Sequence, residues 1–309
     1  MKVLNGSAPF PSLPYPVLTL GNFDGVHLGH QAILRRVVGE AHAHQGTAVV
    51  YTFSPHPAKV LAPHSHLPML QTPAQKSEQI AACGVELLVI EPFTLAFAKI
   101  SAADFLEKII QQRIHPAEII IGYDFTFGVH RSGTTELLAS FCASHGIQLS
   151  IVEPLFHQET LLSSTHIRLL VAMGNVESAE QMLGRPYEIR GTVERRRGLG
   201  KELGIPTANL KPENEVIPAY GVYITQTEWR GTLYPSVTNI GFNPTSGSTP
   251  LAIETHILDF TETIAGEKIA LSFHQRLREE KRFNSLAELQ KAIHHDIAET
   301  RAYYAKTRS

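Results

Sequence analysis

A chain of 309 residues with 27 Lys+Arg against 29 Asp+Glu is long enough for two domains of ordinary size, and its near-neutral balance argues against nucleic acid or a membrane surface as the main partner. Two cysteines far apart, Cys83 and Cys142, exclude a disulfide scaffold and suit a reducing cytosol. The first residues carry no signal or transit pattern and no segment is apolar for long enough to span a bilayer, so the expected setting is cytoplasmic, with small-molecule partners and either a monomer or a transient oligomer.

Up to about residue 153, short apolar runs (Val17 to Leu20, Ala48 to Phe53, Leu87 to Ile90, Ile119 to Ile121, Ile147 to Val152) alternate with helical patterns such as Phe105, Ile109 and Ile110 after Ser101. Continuous apolar strands are buried on both faces, so this alternation predicts an α/β doubly wound parallel sheet. Two more helices follow, holding Ile167 to Met173 and Val176 to Leu183, and Gly184-Arg185-Pro186 punctuates the chain. The expected domains are therefore 1–184 and 185–309. Beyond Tyr187, Glu188 to Glu194, Gly221 to Thr225, Leu233 to Asn239, Ala252 to Leu258 and Lys268 to Phe273 read as strands without long helices between them, the pattern of a small barrel or sandwich. A closing helix opens with a capping box, Ser285 to Glu288, and carries Leu286, Leu289, Ile293 and Ile297 on one side.

The most informative segment is Gly21-Asn-Phe-Asp-Gly-Val-His-Leu-Gly-His30, directly after the first apolar run. A strand that ends in a glycine turn and releases a helix near His27 presents free backbone N–H groups and a positive dipole end, which attract phosphate. His27 and His30, three apart, share a face of the first turn and can donate to phosphate oxygens. A pair of surface histidines is the plain alternative in a chain with 16 His, but the intervening Gly29 and the preceding Asp24-Gly25 favour the phosphate site. Zinc would need further ligands in a spacing that the cysteines do not offer. This segment resembles the H-x-G-H motif of the nucleotidyltransferase superfamily, which implies transfer of an adenylyl group with release of pyrophosphate.

Further on, Gly122-Tyr-Asp-Phe-Thr-Phe-Gly128 puts Asp124 after the fourth apolar run, with Phe125 and Phe127 either anchoring the loop or touching a flavin or adenine ring. Ser163-Ser-Thr-His-Ile-Arg168 sets hydroxyls at a helix start and a guanidinium one turn in, which is phosphate-binding chemistry or a plain N-cap. In the second domain, Gly198-Leu-Gly-Lys-Glu-Leu-Gly204 matches neither G-x-G-x-x-G nor a Walker loop and reads as a basic flap beside a Pro-Thr207-Ala-Asn209 corner, whose oxygens suit Mg²⁺ or serve an ordinary turn.

Taken in order with Thr52-Phe-Ser-Pro-His56-Pro, these motifs resemble the FAD synthetase module of prokaryotic bifunctional riboflavin kinase/FAD synthetases, and Pro-Thr-Ala-Asn, Asn239 to Thr245, Glu254 to Phe260 and Arg278 to Phe283 resemble the kinase module. The likeness covers nearly the whole chain and implies a Rossmann-like nucleotidyltransferase domain followed by a β-barrel with a C-terminal helix. It departs from the family at Ser54, His166, Asn243 and Ser246. It implies ATP or phosphate contacts at Gly21, Phe23, Asp24, Gly25, Gly29, Ser164, Thr165, Arg168, Gly198, Gly200 and Gly204, flavin contacts at His56, Asp124, Phe125, Phe127, Asn239, Arg278 and Phe283, and Mg²⁺ at Thr207 and Asn209. Glu254 is then the base that accepts the proton of the riboflavin hydroxyl as ATP phosphorylates it to FMN, and His27 and His30 serve adenylylation of FMN to FAD. The alternatives are a monofunctional adenylyltransferase, which leaves residues 187 to 309 without a task, a class I aminoacyl-tRNA synthetase, whose Lys-rich second motif is absent, and a non-catalytic flavin-binding regulator, against which the retained site residues speak.

Overall fold

The computed structural model describes residues 1–65, 67–195, 204–242 and 251–307, which divide into two compact units, Met1–Ser163 and Ser164–Ser309.

The first unit is built on a parallel sheet of β1 (Lys2–Asn5), β2 (Pro16–Leu20), β3 (Thr47–Ser54), β4 (Leu87–Pro92), β5 (Glu118–Gly122) and β6 (Gln148–Val152), in the order β1-β4-β3-β2-β5-β6. The edge strand β1, polar and mostly exposed, carries no apolar run, so its composition gave no strand signal. Successive residues of the central strands bury opposite sides. Leu18, Val49, Tyr51, Leu87 and Ile119 pack one core with Phe105, Ile110 and Leu138, while Val17, Val50, Leu88 and Ile120 lie in the cores that hold Leu34, Val37 and Ile80. The helices that cover the two faces are α1 (Leu28–Ala43) and α3 (Pro73–Ala82) on one side, and on the other a segment that is α-helical over α4 (Ala102–Asp104) and π-helical over Phe105–Ile114, with α5 (Thr135–His145). A short α2 (Pro57–Leu61) follows β3. Each fully buried Leu or Ile contributes about 1.5–3 kcal/mol, which is why the apolar runs sit at the centre of the sheet. Thr72 starts α3 with a complete capping box to Gln75, ahead of Pro73 at the first helical position.

A two-stranded hairpin, β7 (Phe156–His157) and β8 (Thr160–Leu161), closes the first unit. The second unit begins with α6 (Ser164–Ala172) and α7 (Val176–Leu183). The sequence reading placed both with the first domain, but they pack with the barrel: the Arg276 N–H donates to the Glu177 carboxylate at 3.1 Å. The barrel consists of β9 (Tyr187–Glu194), β10 (Ala208–Pro212), β11 (Gly221–Trp229), β12 (Thr232–Phe242), β13 (Leu251–Ile257) and β14 (Lys268–Glu279), antiparallel and closed in the order β10-β13-β12-β11-β14-β9. Closure leaves no edge open to pair with another chain. Tyr187, Ile189, Ile253, Leu271 and Phe273 fill its interior. Beside them runs a dry chain of hydroxyls, Thr227 to Ser236 to Thr225 to Thr238 to Thr255, linked at 2.7–2.8 Å across β11, β12 and β13. The three inner hydroxyls bond on both sides and the end ones, Thr227 and Thr255, on one, so each of the five buried polar side chains has a partner.

The last helix, α8 (Leu286–Thr307), is tied to the barrel by Tyr304 Oη donating to the Thr225 carbonyl at 2.9 Å. Two expectations about it change. The Ser285 hydroxyl accepts the Glu288 N–H, but the Glu288 carboxylate accepts from Asn284 rather than Ser285, so the box is open by one residue. Leu286 is 58% exposed, and the deeply buried positions of the helix are Asp296 and Thr300. Asp296 belongs there because Arg278 on β14 meets it with two nitrogens at 2.8–3.0 Å. Removing the carboxylate leaves the Arg278 guanidinium without its counter-charge. Asp296→Ala is expected to lower the stability of the second unit by about 3 kcal/mol, read as a shifted urea midpoint, with Asp296→Asn costing less.

Candidate functional site

In the first unit β2 lies between β3 and β5. The chain leaves β2 for β3 and β4 and later returns to its other side for β5 and β6, so the loops after β2 and β5 run in opposite directions and open a crevice at the carboxyl ends of the strands. Those two loops hold Gly21 to His27 and Gly122 to Gly128. The sheet topology therefore brings together the two motifs that the sequence singled out separately.

Gly21 continues the ladder, its N–H donating to the Tyr51 carbonyl at 3.1 Å. The turn that follows is strained, with φ of +49° at Phe23, +84° at Gly25 and +38° at the β-branched Val26. It is held in that shape from several directions: Phe23 and Val26 are buried, both Asp24 carboxylate oxygens accept the Leu70 N–H at 3.1 Å, and Gln31 Nε2 donates to the Val26 carbonyl at 3.0 Å. Asp24 thus anchors the turn. A direct phosphate contact, the expectation from the resemblance, would also set two anions against each other.

His27 is the N-cap of α1, its Nδ1 accepting the His30 N–H at 3.4 Å, so the neutral ring carries its proton on Nε2. The two imidazoles are stacked, with centroids 3.7 Å apart and planes 22° from parallel, and the Phe23 ring meets His30 edge-on at 5.2 Å. A Cβ on Gly29 would lie 3.0 Å from the His27 ring. The sequence reading assigned the motif glycines to phosphate access. At Gly29 the structure gives a closer reason, which is room for the stacked ring. His30 Nδ1 is buried without a hydrogen-bond partner among the described residues, an arrangement that a ligand resolves. Burial, then the neighbouring His27 and Lys76, hold the His30 imidazole well below its ordinary pKa, so it is neutral at pH 7.

Lys76, on α3, was not singled out from the sequence because a lysine on a helix reads as solvated. Its Nζ reaches the Asn22 carbonyl, Thr52 Oγ1 and the Phe53 carbonyl at 3.3–3.4 Å. Also missed was an aromatic wall. Phe53, Phe93 and Phe97 contact one another at 5.6–5.9 Å, Phe97 meets Phe105 at 6.4 Å, and Phe127 meets Phe105 and Phe125 at 5.6 Å. Phe127 is buried core, Phe125 half-buried and Asp124 exposed at the end of β5. His56 caps α2, its Nδ1 accepting the Ala58 N–H at 3.2 Å. Ser164 and Thr165 open α6, with Arg168 one turn in, in the second unit.

In the barrel, pairing aligns Asn209 with Glu254, Glu254 with Asn239, Asn239 with Val222 and Val222 with Arg278. Directly opposed residues on antiparallel strands project to one face, so three candidate side chains, Asn209, Glu254 and Asn239, form one row on the outer face, opposite the interior hydroxyls. The expected corner is a strand: Asn209 lies in β10 and is buried, while Thr207 precedes it. His256, two residues from Glu254 on the same face, donates from Nδ1 to the Pro206 carbonyl at 2.8 Å and so fixes the backbone before Thr207. The Arg278 guanidinium is turned to Asp296, with the Phe283 ring 5.7 Å away, and supports α8 instead of standing open to a ligand. Gly204 sits in a turn, whereas Gly198, Gly200, Asn243 and Ser246 lie outside the described residues. The oxygen donors of Thr207, Asn209 and Glu254 are hard ligands of the type Mg²⁺ takes, so the residues fit that ion.

Residues 12–166 match the family model for FAD synthetase and residues 183–304 that for riboflavin kinase. The chain is 34% identical over 290 residues to the bifunctional riboflavin kinase/FMN adenylyltransferase of Pseudomonas fluorescens (94% of this chain, 93% of that protein) and 31% identical over 311 residues to that of Escherichia coli K12 (100% and 99%). A crystal structure described as a macrolide-efflux protein from Streptococcus pneumoniae superposes with a TM-score of 0.89 at 30% identity, covering 97% of this chain and 98% of that one. Among the described residues no helix is long and apolar enough to cross a membrane.

The low proton affinity of His30 has a thermodynamic consequence. An unfolded histidine takes up its proton near about pH 6.5, the folded one at lower pH, so between the two the unfolded chain binds more protons and stability falls as the pH drops. The first unit is expected to lose stability from about pH 7.5 to about pH 5.5 in urea titrations, and His30→Gln to lose less over the same interval.

Proposed function

The chain belongs to the bifunctional riboflavin kinase/FMN adenylyltransferase family, phosphorylating riboflavin to FMN and adenylylating FMN to FAD with ATP, and on that premise we propose how its residues divide the work. The first unit carries adenylyl transfer. The observation that carries this reading is the stacked His27–His30 pair at an anion-attracting helix start beside the crevice.

In that step an oxygen of the FMN phosphate attacks the α-phosphorus of ATP, the bond to the bridging oxygen breaks, and pyrophosphate leaves. The second pKa of a phosphate monoester is about 6, so the nucleophile needs no base. It needs donors where negative charge gathers. The α1 backbone, His27 through Nε2–H and His30 supply them in a fixed geometry that costs no reorganisation. The half-buried rings of Phe53, Phe93, Phe97 and Phe125 support an apolar, planar ligand such as the isoalloxazine, with His56 and Asp124 at its polar margin.

The second unit carries phosphorylation. The ribityl 5′-hydroxyl is uncharged at neutral pH and must lose its proton as it attacks the γ-phosphorus of ATP, where the bond to the β–γ bridging oxygen breaks and ADP leaves. Glu254, fixed on a central barrel strand between Asn209 and Asn239, accepts it. Thr207 and Asn209 hold Mg²⁺, which when bound offsets the charge of the transferring phosphoryl group. The flavins and ATP as small-molecule partners, together with Cys83 and Cys142 outside any disulfide, support a cytoplasmic setting.

The two assignments separate by product. With FMN and ATP supplied, His27→Ala and His30→Ala should cut FAD formation on the order of a hundredfold or more and leave riboflavin phosphorylation intact. Glu254→Ala should abolish FMN formation and still convert added FMN to FAD. Chromatographic quantitation of both products decides, and loss of both activities in any one variant that remains folded would sink the two-site reading.

A further inference from the structure

We propose that Lys76 is a positioning residue of the adenylyl-transfer site, clamping the strained turn after β2 to the end of β3 and holding a fixed positive charge beside the two imidazoles. The inference rests on the reading of His27 and His30 as that site. It starts from a count of donors. An ammonium has three N–H donors and no acceptor, and Nζ of Lys76 faces three oxygens from two different strand ends: the Asn22 carbonyl in the turn, and Thr52 Oγ1 and the Phe53 carbonyl on β3. All three distances fall within 3.3–3.4 Å, so the ion is centred among them and not drawn to one.

The oxygens are backbone carbonyls and a hydroxyl, none of them charged, so the positive charge is solvated but not neutralised. Burial draws the Lys76 ammonium below its ordinary pKa, and the charge of the Asp24 carboxylate, itself engaged by the Leu70 N–H, works against that. Thr52 Oγ1 in turn donates to the Asn22 carbonyl at 3.3 Å, closing a small ring of contacts around Nζ. A net cation is thereby kept at the carboxyl ends of β2 and β3, where an incoming triphosphate brings several negative charges. The position of the charge comes from α3, an element that contributes nothing else to the site. The capping box of Thr72 and Gln75 and the buried Ile80 fix that helix, and Lys76 extends from its second turn.

Two properties follow from one side chain, and two substitutions separate them. Lys76→Met keeps the aliphatic stem and removes the charge and all three donors. Lys76→Arg keeps the charge on a planar fork that cannot converge on three oxygens around one point. In steady-state assays of FMN adenylylation, Lys76→Met is expected to raise the KM for ATP and lower kcat, reducing kcat/KM by on the order of tenfold or more. Lys76→Arg should restore the KM toward that of the unaltered protein and leave kcat reduced. Riboflavin phosphorylation, which belongs to the second unit, should be unchanged, and the urea midpoint of the first unit reports whether each variant remains folded. A Lys76→Met enzyme whose kcat/KM for ATP stays within about twofold of the original overturns the proposal, and so does an Arg variant as impaired in KM as the Met variant, because charge would then play no part. His30→Ala in the same series separates the two failures: if it still makes FAD, the site reading is wrong, whereas if it loses FAD formation while Lys76→Met does not, only the role of Lys76 is.

Discussion

The geometry of the first unit depends on one constraint, the way α1 begins. A helix start needs an acceptor for its first N–H groups, and here an imidazole supplies it, with His27 Nδ1 facing the His30 N–H. That choice has three consequences. The ring of His27 lies back over residue 29, where a Cβ would come within 3.0 Å of it, and stacks on His30. The chain must enter the helix from a turn with three residues at positive φ, which is stable only because Asp24, Phe23 and Val26 are secured underneath. Finally, capping with Nδ1 puts the proton of the neutral His27 ring on Nε2, at the opposite edge of the imidazole. A serine cap would satisfy the helix equally well and supply no such group.

The second unit reaches precision by a different route. Glu254 and Asn239 are neighbours because β12 and β13 pair in register, and the strands are locked on their inner side by the hydroxyl chain through Thr238 and Thr255, each adjacent in sequence to one of those outer residues. Slippage by one residue would turn the candidate row inward and bring the threonines out to the surface. Burying hydroxyls in place of methyl groups contributes little net stability, but it penalises every register that breaks a bond, which is a way to fix where a carboxylate points.

Much of this could be read from the residues. The four central strands of the sheet, the helix beginning at His27 and most of the barrel strands follow from apolar periodicity and glycine punctuation, because burial on two faces imposes a pattern on consecutive residues. The fifth apolar run, expected to be buried, forms the partly exposed edge strand β6. The strands β1 and β10 did not follow from such a pattern. One is a polar edge and the other begins inside a Pro-Thr-Ala-Asn segment whose residues favour turns, and both exist because a neighbour offers hydrogen bonds. The placement of α6 and α7 with the barrel was likewise illegible, since amphipathic periodicity says that a helix is covered without saying by what. Within the sites, local motifs were visible and long-range partners were not. Lys76 is 46 residues from His30, and Asp296 is 18 residues beyond Arg278. Asp296 in particular breaks the rule that a helix buries apolar residues, and only the position of Arg278 makes it intelligible.

The contrast between the two proposed sites follows from the acidity of their nucleophiles. A phosphate monoester arrives already ionised, so a free carboxylate beside it would repel it, and the one acid in the turn, Asp24, is directed into the fold toward Leu70. The other side chains gathered around that turn are imidazoles and a lysine, all donors or cations, and the exposed Asp124 belongs to the loop after β5, on the other side of the crevice. An alcohol arrives neutral, so a carboxylate is useful there, and Glu254 stands half-buried on a strand whose neighbours place the uncharged Asn209 and Asn239 opposite it. A parallel sheet suits the first task because helix starts and strand ends converge on one edge, giving N–H groups and cations a common focus. An antiparallel barrel suits the second because alternation separates a rigid interior from a row of polar side chains on its outer face. Each fold is matched to the sign of the charge that its reaction must manage.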